Sequence, residues 1–243
     1  MSYVLIVGAK SDIAKAVARK YSENGYNLYL AAREHEELTA FANDISLRSS
    51  NTVKLFELDV CNLEEHVEFY DKLPERPVGT IICVGYMADQ EIAQAELDET
   101  LKTINTNFTG CVSLLNIIAN DYEKHRNGFI VAVSSVAGDR GRKTNYLYGS
   151  AKAGLTAYLS GLRNRLNNSN VPVLTVKPGF VNTRMTQDMD LPEKLTAQPD
   201  EVASAIYKYQ QKRKNILYTK GIWRIIMFII RHIPESIFKR LSI

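Results

Sequence analysis

The sequence of 243 residues predicts an α/β domain in which helices cover both faces of a single doubly wound parallel sheet. Short apolar runs alternate with segments of helical spacing along most of the chain. The apolar runs lack the polar alternation of half-exposed strands, as is typical of strands buried on both faces. Right-handed crossovers between such parallel strands place helices on each side of the sheet.

The elements follow one another in strand–helix order from the start of the chain. Residues 3–7 form an apolar run, Gly8 begins a turn, and residues 14–21 have helical spacing that ends at Gly25. The other predicted strands are residues 27–32, 53–58, 80–84, 129–133, 171–176 and 216–218, and the other predicted helices are residues 34–48, 62–72, 105–125, 146–167 and 200–212.

Composition excludes several classes of protein. The three cysteines are too few and too scattered for a disulfide framework, and the first strand begins too early to leave room for a signal peptide, so we expect a cytoplasmic protein. The four histidines lie about thirty or more residues apart, which argues against a compact zinc cluster and a metal mechanism. These residues are Cys61, Cys83 and Cys111, and His35, His66, His125 and His232.

Charge is distributed unevenly along the chain. Residues 212–243 contain eight Lys or Arg and one acidic residue, whereas the remainder has 22 basic and 26 acidic residues. The mildly acidic body argues against nucleic-acid binding, and the basic, apolar tail suggests an anionic surface nearby.

Ligands of an open parallel sheet bind beyond the carboxyl ends of its strands. This rule predicts one crevice, bordered by the residues that follow the strands: Gly8, Arg33, Asp59, Gly85, Ser135 and Pro178.

The turn after the first strand has the spacing of a dinucleotide-binding turn. It reads Gly8-Ala-Lys-Ser-Asp-Ile-Ala14, with only the first of three expected glycines. Backbone N–H groups and the helix dipole here can receive a pyrophosphate. Asp12 could instead be the N-cap of the helix. The predicted contacts in this turn are Gly8, Lys10, Ser11, Asp12 and Ile13.

Arg33 follows the second predicted strand, at the position where a dinucleotide-binding fold usually has a carboxylate that binds the ribose. Arg33 would favour a 2′-phosphate through charge-assisted hydrogen bonds, so we predict NADP(H) over NAD(H). The alternative is that Arg33 pairs with Glu36 or Glu37 one turn further on.

Three residues form a candidate catalytic group. Ser135 precedes Tyr148 by thirteen residues, and Lys152 follows Tyr148 by one helical turn. An ammonium about 4–5 Å from a phenol, at an effective dielectric near 20, is worth roughly 3–4 kcal/mol, or two to three pKa units. The phenol would then act as an acid or base near neutrality.

These residues resemble the short-chain dehydrogenase/reductase family, which has a Rossmann fold, over residues 3 to about 218. Further matches are Asn107 in Asn-Phe-Thr-Gly, Asp59 in Leu-Asp-Val, and Pro178-Gly179 with Thr183. The chain departs from the family in its depleted glycine turn and in Ile-Cys-Val-Gly85, where Asn-Asn-Ala-Gly is usual.

The resemblance assigns roles to the matched residues. Tyr148 would be the general acid in ketone reduction, while Lys152 would lower the pKa of Tyr148 and bind the nicotinamide ribose. Ser135 would polarise the carbonyl, and Asn107 would anchor a proton-relay water. Asp59 would contact the adenine and Thr183 the nicotinamide carboxamide. The other cofactor contacts implied are Val60, Gly85, Pro178, Gly179 and Val181.

The tail, residues 219–243, is predicted to be an amphipathic segment outside the reductase domain of residues 1–218. Residues 222–233 are mostly apolar, Arg224 and Arg231 share one helical face, and the stretch is too short to cross a bilayer. Pro234 begins a second short helix. The tail could lie in a membrane interface, pair with another subunit, or cover the substrate crevice.

Within the family, the chain is most similar to bacterial reductases of decaprenylphosphoryl-2-keto-pentose type, which act in cell-envelope polysaccharide synthesis. That similarity implies a keto-sugar substrate, free or lipid-linked, with Arg140, Arg142 and Lys143 either contacting a phosphate or forming a solvated loop. Analogy with the family favours a homodimer or homotetramer paired through the helices that contain Asn107 and Tyr148, and the apolar, basic tail suggests peripheral contact with the inner face of the plasma membrane. The alternatives are a soluble ketoreductase of another carbonyl and a non-catalytic NADP-binding sensor or scaffold.

Overall fold

A computed structural model describes residues 2–241 and contains one sheet of seven parallel strands. Together with a separate pair, the described residues form nine strands: β1 (Tyr3–Val7), β2 (Asn27–Ala32), β3 (Val53–Glu57), β4 (Gly79–Ile82), β5 (Ile130–Val133), β6 (Val173–Lys177), β7 (Phe180–Val181), β8 (Thr196–Ala197) and β9 (Ile216–Tyr218). The order in the sheet is β3-β2-β1-β4-β5-β6-β9, and β7 and β8 form a separate parallel pair. The predicted α/β class with a doubly wound sheet is confirmed.

Helices cover both faces of this sheet. They are α1 (Asp12–Glu23), α2 (Thr39–Ser49), α3 (His66–Asp71), α4 (Gln90–Ala95), α5 (Leu97–Ile104), α6 (Gly110–His125), α7 (Tyr146–Leu166), α8 (Pro199–Gln211), α9 (Ile222–His232) and α10 (Glu235–Phe238). A π-helical turn, Asn105–Thr109, joins α5 to α6.

The core forms one layer on each face of the sheet, because successive residues of a strand point to opposite faces. Val4 and Ile6 of β1 pack on the side of α1 and α8. Leu5 and Val7 pack on the side of α6 and α7. Every residue of β1 is buried, which explains why the strand reads as a continuous apolar run.

Some predicted helices are shorter or more broken than their apolar spacing suggested. The predicted helix 34–48 is a 3₁₀ turn, His35–Leu38, followed by α2, and the predicted helix 62–72 is a 3₁₀ turn, Leu63–Glu65, followed by α3. Helices α4 and α5 were not predicted, since they are short and expose most of their residues to solvent.

The tail packs against the body through a small third core. Trp223 and Met227 of α9 are 4% and 0% exposed and contact Val136, which follows β5. The opposite face of α9 is exposed, as is most of α10. One face of the tail is therefore part of the folded body, at the end of the sheet where the predicted crevice lies.

Candidate active site

A crevice of about 490 Å³ opens beyond the carboxyl ends of the central strands. All the residues predicted to border the crevice line it. The other residues predicted to be catalytic or to contact the cofactor also line it, except Asn107, which is fully buried. The lining residues that the sequence had indicated for this crevice are Gly8, Lys10, Ser11, Asp12, Ile13, Arg33, Asp59, Val60, Gly85, Ser135, Tyr148, Lys152, Pro178, Gly179, Val181 and Thr183.

Ser135 is held where β5 leaves the sheet. Its Oγ accepts a hydrogen bond of 3.1 Å from the N–H of Ala137, at the start of a 3₁₀ turn. Gly138 lets this turn lie directly on α7, because a Cβ on Gly138 would be 2.7 Å from the carbonyl carbon of Lys152. The loop that holds Ser135 and the helix that holds Tyr148 and Lys152 are thus in direct backbone contact.

Tyr148 and Lys152 lie one turn apart on α7 and converge on the floor of the crevice. The Nζ of Lys152 lies 5.8 Å from the centroid of the Tyr148 ring. Lys152 is 1% exposed, and its Nζ donates hydrogen bonds of 3.1 Å to the backbone oxygens of Val84 and Val133. These two carbonyls, at the ends of neighbouring strands, fix the ammonium beneath the crevice.

The expected lowering of the Tyr148 pKa is wrong. Burial raises the pKa of the phenol to about 12, and a hydrogen bond with the Ser135 side chain offsets this only in part. Burial also lowers the pKa of Lys152. Desolvation of the buried phenol outweighs any stabilisation of its charged form by the ammonium.

Asn107 lies in the π-helical turn, a feature that often marks a functional position in a helix. Its amide nitrogen donates to the backbone oxygens of Tyr86 and Thr103 at 2.5 and 2.8 Å, and its oxygen accepts from the N–H of Tyr86 at 3.2 Å. The side chain fixes the chain just after Gly85. A Cβ on Gly85 would lie 3.7 Å from this oxygen and 3.8 Å from the Nζ of Lys152, so Asn107 borders the Lys152 site from below.

The turn after β1 is built around Gly8. Its φ of 77° suits glycine, and a Cβ there would lie 2.9 Å from the backbone of Cys83. The N-cap of α1 is Ser11, whose Oγ accepts from the N–H of Ala14 at 3.2 Å, so the alternative of Asp12 as N-cap is wrong. Asp12 instead accepts from the N–H of Arg184 at 2.9 Å and tethers the loop after β7 to this turn.

Acidic groups near the turn are neutralised by cations. Lys10 pairs with Glu34 and Glu37 at 2.8 and 2.7 Å. The Arg33 side chain is 68% exposed, and its one ion pair within the described chain is a long contact of 4.0 Å with Asp59. Arg33 therefore does not pair with Glu36 or Glu37, and its guanidinium borders the crevice with most of its donors available.

The wall opposite the turn includes Trp223, which sequence reasoning did not assign to the site. A Cβ on Gly179 would lie 2.0 Å from the indole, so Trp223 packs directly on the glycine backbone. The indole Nε1 donates to the backbone oxygen of Leu195 at 3.0 Å. The one available signal was that the single tryptophan of the chain lies in the apolar tail.

The three cations of the loop before α7 have different surroundings. Arg140 donates to the backbone oxygens of Ile230 and Ile233 at 2.6 Å, so it anchors the tail and is not available to a phosphate. Lys143 is exposed. Arg142 alone of the three lines the crevice.

Within residues 2–241, one group of side chains has the spacing for a metal ion. The ring of His35 and the carboxylates of Glu36 and Glu57 offer atoms within 4.8 Å of one another. Glu57 already accepts from the backbone N–H groups of Glu34 and His35, and from the His35 ring at 2.8 Å. These contacts account for the group as a surface cap of β3.

Comparison with known proteins identifies the class. The short chain dehydrogenase family model matches residues 2–194. A Mycobacterium tuberculosis protein named as an uncharacterized oxidoreductase is 32% identical over 241 residues, covering 98% of this chain and 96% of that protein. A Streptomyces coelicolor protein, also named as an uncharacterized oxidoreductase, is 29% identical over 99% of this chain and 96% of its own length. The chain belongs to the short-chain dehydrogenase/reductase family, a family of oxidoreductases.

Solved structures share the fold. A short-chain dehydrogenase from Sphingobium yanoikuyae in complex with NADPH has a TM-score of 0.84 and 23% identity, covering 97% of this chain and 98% of that chain. A variant of actinorhodin polyketide ketoreductase with NADPH has a TM-score of 0.81 and 20% identity, covering 91% and 97%. Within the described residues, no helix has both the length and the hydropathy to cross a bilayer.

Proposed function

We propose that the protein is an NADPH-dependent reductase that converts a ketone to a secondary alcohol. The observation that carries this proposal is the grouping of three side chains at one crevice: the hydroxyls of Ser135 and Tyr148, and the buried ammonium of Lys152, which two backbone oxygens hold in place. NADPH appears in the names of structures that share the fold, and a ketoreductase is among them.

The crevice fits a dinucleotide. The N–H groups at the start of α1 have no acceptor within the helix, and the turn at Gly8 brings them to the crevice wall. The Asp12 carboxylate would repel a pyrophosphate, but its contacts with Arg184 offset its charge. Asp59 and Val60 would border the adenine. Pro178, Gly179, Val181 and Thr183 would border the nicotinamide. When bound there, NADPH would supply the hydride for the carbonyl carbon of the substrate.

The side chains at the crevice floor would hold the substrate carbonyl and transfer the proton. The Ser135 hydroxyl donates to the substrate carbonyl oxygen and holds it beside Tyr148. The phenol of Tyr148, protonated at neutral pH because burial raises its pKa, gives its proton to that oxygen as negative charge develops. Lys152 binds the nicotinamide ribose and stabilises the resulting phenolate. Asn107 holds the backbone after Gly85 and anchors the water that returns a proton.

Arg33 supports the preference for NADPH. Its exposed guanidinium follows β2, at the position where the ribose of a dinucleotide lies in this kind of sheet. A planar cation with free donors recognises a 2′-phosphate, whereas NADH offers it no anion.

The experiment for this proposal is a screen of ketones with the purified full chain. We expect NADPH consumption with formation of one equivalent of secondary alcohol, and at least tenfold lower kcat/KM with NADH. Ser135→Ala should reduce the rate, while Ser46→Ala, a change on α2 outside the crevice lining, should not. Absence of NADPH-dependent reduction across the screen would contradict the proposal.

We propose further that the substrate is a keto-sugar, free or lipid-linked, of cell-envelope polysaccharide synthesis, met at an anionic membrane surface. Helix α9 supports this proposal because its two faces differ. Trp223 lines the crevice, while Ile225 and Phe228 on the outer face are 62% and 64% exposed. Arg224 and Arg231 flank this apolar stripe, as expected of a helix that lies in a lipid interface.

A flotation assay with the full chain and vesicles of mixed anionic and neutral lipid tests the membrane contact. Wild type should float with anionic vesicles, and the double change Ile225→Ser and Phe228→Ser should abolish flotation. Leu47→Ser, which changes an 85% exposed leucine on α2, is the matched control and should leave flotation unchanged. Dimerisation without flotation would assign the same face to a second copy and contradict the membrane contact.

We propose a homodimer or homotetramer that pairs through α6 and α7. Helices α4 and α5, which pack on α7, expose Ile92 and Leu97, and these side chains would extend such an interface. Light scattering on the full chain should give twice or four times the chain mass of 27.4 kDa, and a monomer mass would contradict this pairing.

A further inference from the structure

Arg142 is a partly buried cation on the crevice wall that lacks an acidic partner. Its Nη2 contacts the Sδ of Met227 at 3.2 Å, a weak acceptor, and its buried Nε has no hydrogen-bond partner. Within residues 2–241, no carboxylate lies in ion-pair distance of its guanidinium. A buried donor without an acceptor is unfavourable, so the Nε of Arg142 favours an added acceptor at this wall of the crevice.

The nearest acidic group is already used. Asp139, three residues earlier, accepts from the Nζ of Lys177 at 2.5 Å and from the Tyr218 hydroxyl at 2.7 Å, and its side chain is 2% exposed. Both carboxylate oxygens therefore already have a partner. Asp139 acts on Arg142 only at a distance and forms no ion pair with its guanidinium.

A second unpartnered polar atom lies in the same segment. The side-chain oxygen of Asn145 is buried without a partner, and Asn145 also lines the crevice. An amide oxygen accepts hydrogen bonds, so it suits a hydroxyl of a ligand. Buried polar groups almost always have a hydrogen-bond partner. The Nε of Arg142 and the side-chain oxygen of Asn145 lack one on the same crevice wall, which points to a ligand that supplies both partners.

The cofactor's own phosphates do not account for Arg142. The pyrophosphate turn and Arg33 follow β1 and β2, whereas Arg142 follows β5, which is separated from β1 by β4. Adjacent strands lie about 4.8 Å apart, so the two ends of the crevice are roughly 10 Å or more apart. Arg142 lies instead in the segment between Ser135 and Tyr148, on the side where the ketone must enter.

We propose that Arg142 is a specificity-determining residue that binds an anionic oxygen group, phosphoryl or carboxylate, of a hydroxylated ketone substrate, with Asn145 accepting from a substrate hydroxyl. This inference rests on the proposed ketone reduction and narrows its substrate class. Arg140 and Lys143 take no part, because the first anchors the tail and the second faces solvent. The anion reaches the guanidinium beneath α9, so the tail forms part of the substrate site.

Matched substrates test the inference with the full chain. Ribulose and ribulose 5-phosphate differ by a phosphoryl group, and 5-ketogluconate offers a carboxylate instead. We expect wild type to reduce at least one of the anionic ketones with a kcat/KM about 10- to 100-fold above that of ribulose, the range of a charge-assisted hydrogen bond. Arg142→Met should remove this preference by raising KM for the anionic ketone to about that for ribulose. Lys143→Gln is the matched control and should retain the preference.

Two measurements that need no catalysis test the anion site independently of the proposed reductase activity. Inorganic phosphate, titrated into the protein, should change the fluorescence of the single tryptophan, Trp223, in wild type but not in Arg142→Met. The Arg142→Met variant without phosphate should melt at the same temperature as wild type or higher, because an unsatisfied cation has been removed. If no ketone is reduced at all, the proposed function fails and the phosphate titration still decides the role of Arg142.

Two results would overturn the anion site. One is equal kcat/KM for neutral and anionic ketones in wild type. The other is a phosphate response that Arg142→Met retains, or that Lys143→Gln loses to the same degree. Preference for the phosphoryl ketone alone, or for the carboxylate alone, would support the site and identify the source of its anion.

Discussion

Gly179 controls how the tail closes the crevice, and Gly179→Ala is the sharpest test of that packing. An alanine Cβ would lie 2.0 Å from the Trp223 indole, whereas ordinary carbon contacts are about 3.5–4.0 Å. The indole or the loop must therefore move by about 1.5 Å or more. The backbone of Gly179 is fixed next to Pro178, whose oxygen accepts from the N–H of Val136 at 2.9 Å, so we expect α9 to move.

The magnitude follows from two competing responses. Full release of the indole would expose about 150–250 Å² and cost about 4–6 kcal/mol at 25 cal/mol per Å². Overpacking relieved by small shifts costs about 1–3 kcal/mol. Small shifts cost less free energy than release of the indole, so we expect α9 to shift and to stay packed on the body. For a chain of this size we expect a Tm lower by about 2–12 °C.

Thermal unfolding and tryptophan fluorescence measure this change, since Trp223 is the only tryptophan. The emission should move toward the red as the indole gains water contact, and KM for the ketone should rise. Gly161→Ala is the control, because a Cβ there meets nothing within 4 Å and alanine favours its helix. An unchanged Tm and emission in Gly179→Ala would refute the packing of Trp223 on this glycine.

Three further predictions concern the site. Arg33→Gln should raise the Kd for NADPH about 10- to 100-fold and leave that for NADH unchanged, as measured by nucleotide titration; equal losses for both would contradict a 2′-phosphate contact. Gly138→Ala places a Cβ 2.7 Å from the backbone of Lys152 and should lower kcat by about 100-fold, whereas Gly141→Ala, with nothing within 4 Å, should be neutral in the same assay. Since the pKa of Tyr148 is raised to about 12, its proton is present below that pH, so kcat/KM for reduction should be constant through neutrality and fall only as alkaline pH approaches the pKa. A fall near neutral pH would show that bound nucleotide lowers this pKa by several units.

The positions of the strands along the chain and the crevice were predictable because the signals are local. Most strands of the central sheet are short, largely apolar runs, and parallel strands must end at one edge. Ser135, Tyr148 and Lys152 were predictable for the same reason, since their spacing is read along one short segment. The ends of strands and helices shifted by a few residues because caps and hydrogen bonds set them, as the N-cap at Ser11 illustrates.

Features that depend on long-range contacts were not predictable. Trp223 meets Gly179 from more than forty residues away, and Arg140 meets Ile230 across ninety residues. Arg140 and Arg142 are two residues apart and cannot be told apart by sequence. Only tertiary packing shows that Arg140 anchors the tail while Arg142 lines the crevice. The direction of the Tyr148 pKa shift also depends on burial, which residue spacing does not report.

Transfer of the Tyr148 proton is the central claim, and Tyr148→Phe tests it most directly. Turnover of a ketone and the Kd for NADPH should be measured on the same preparation of the full chain. The account predicts that kcat falls by about 10²- to 10⁴-fold, the usual contribution of general acid catalysis, while NADPH binding stays within about threefold of wild type. Near-wild-type turnover in this variant, with NADPH still bound, would contradict the claim.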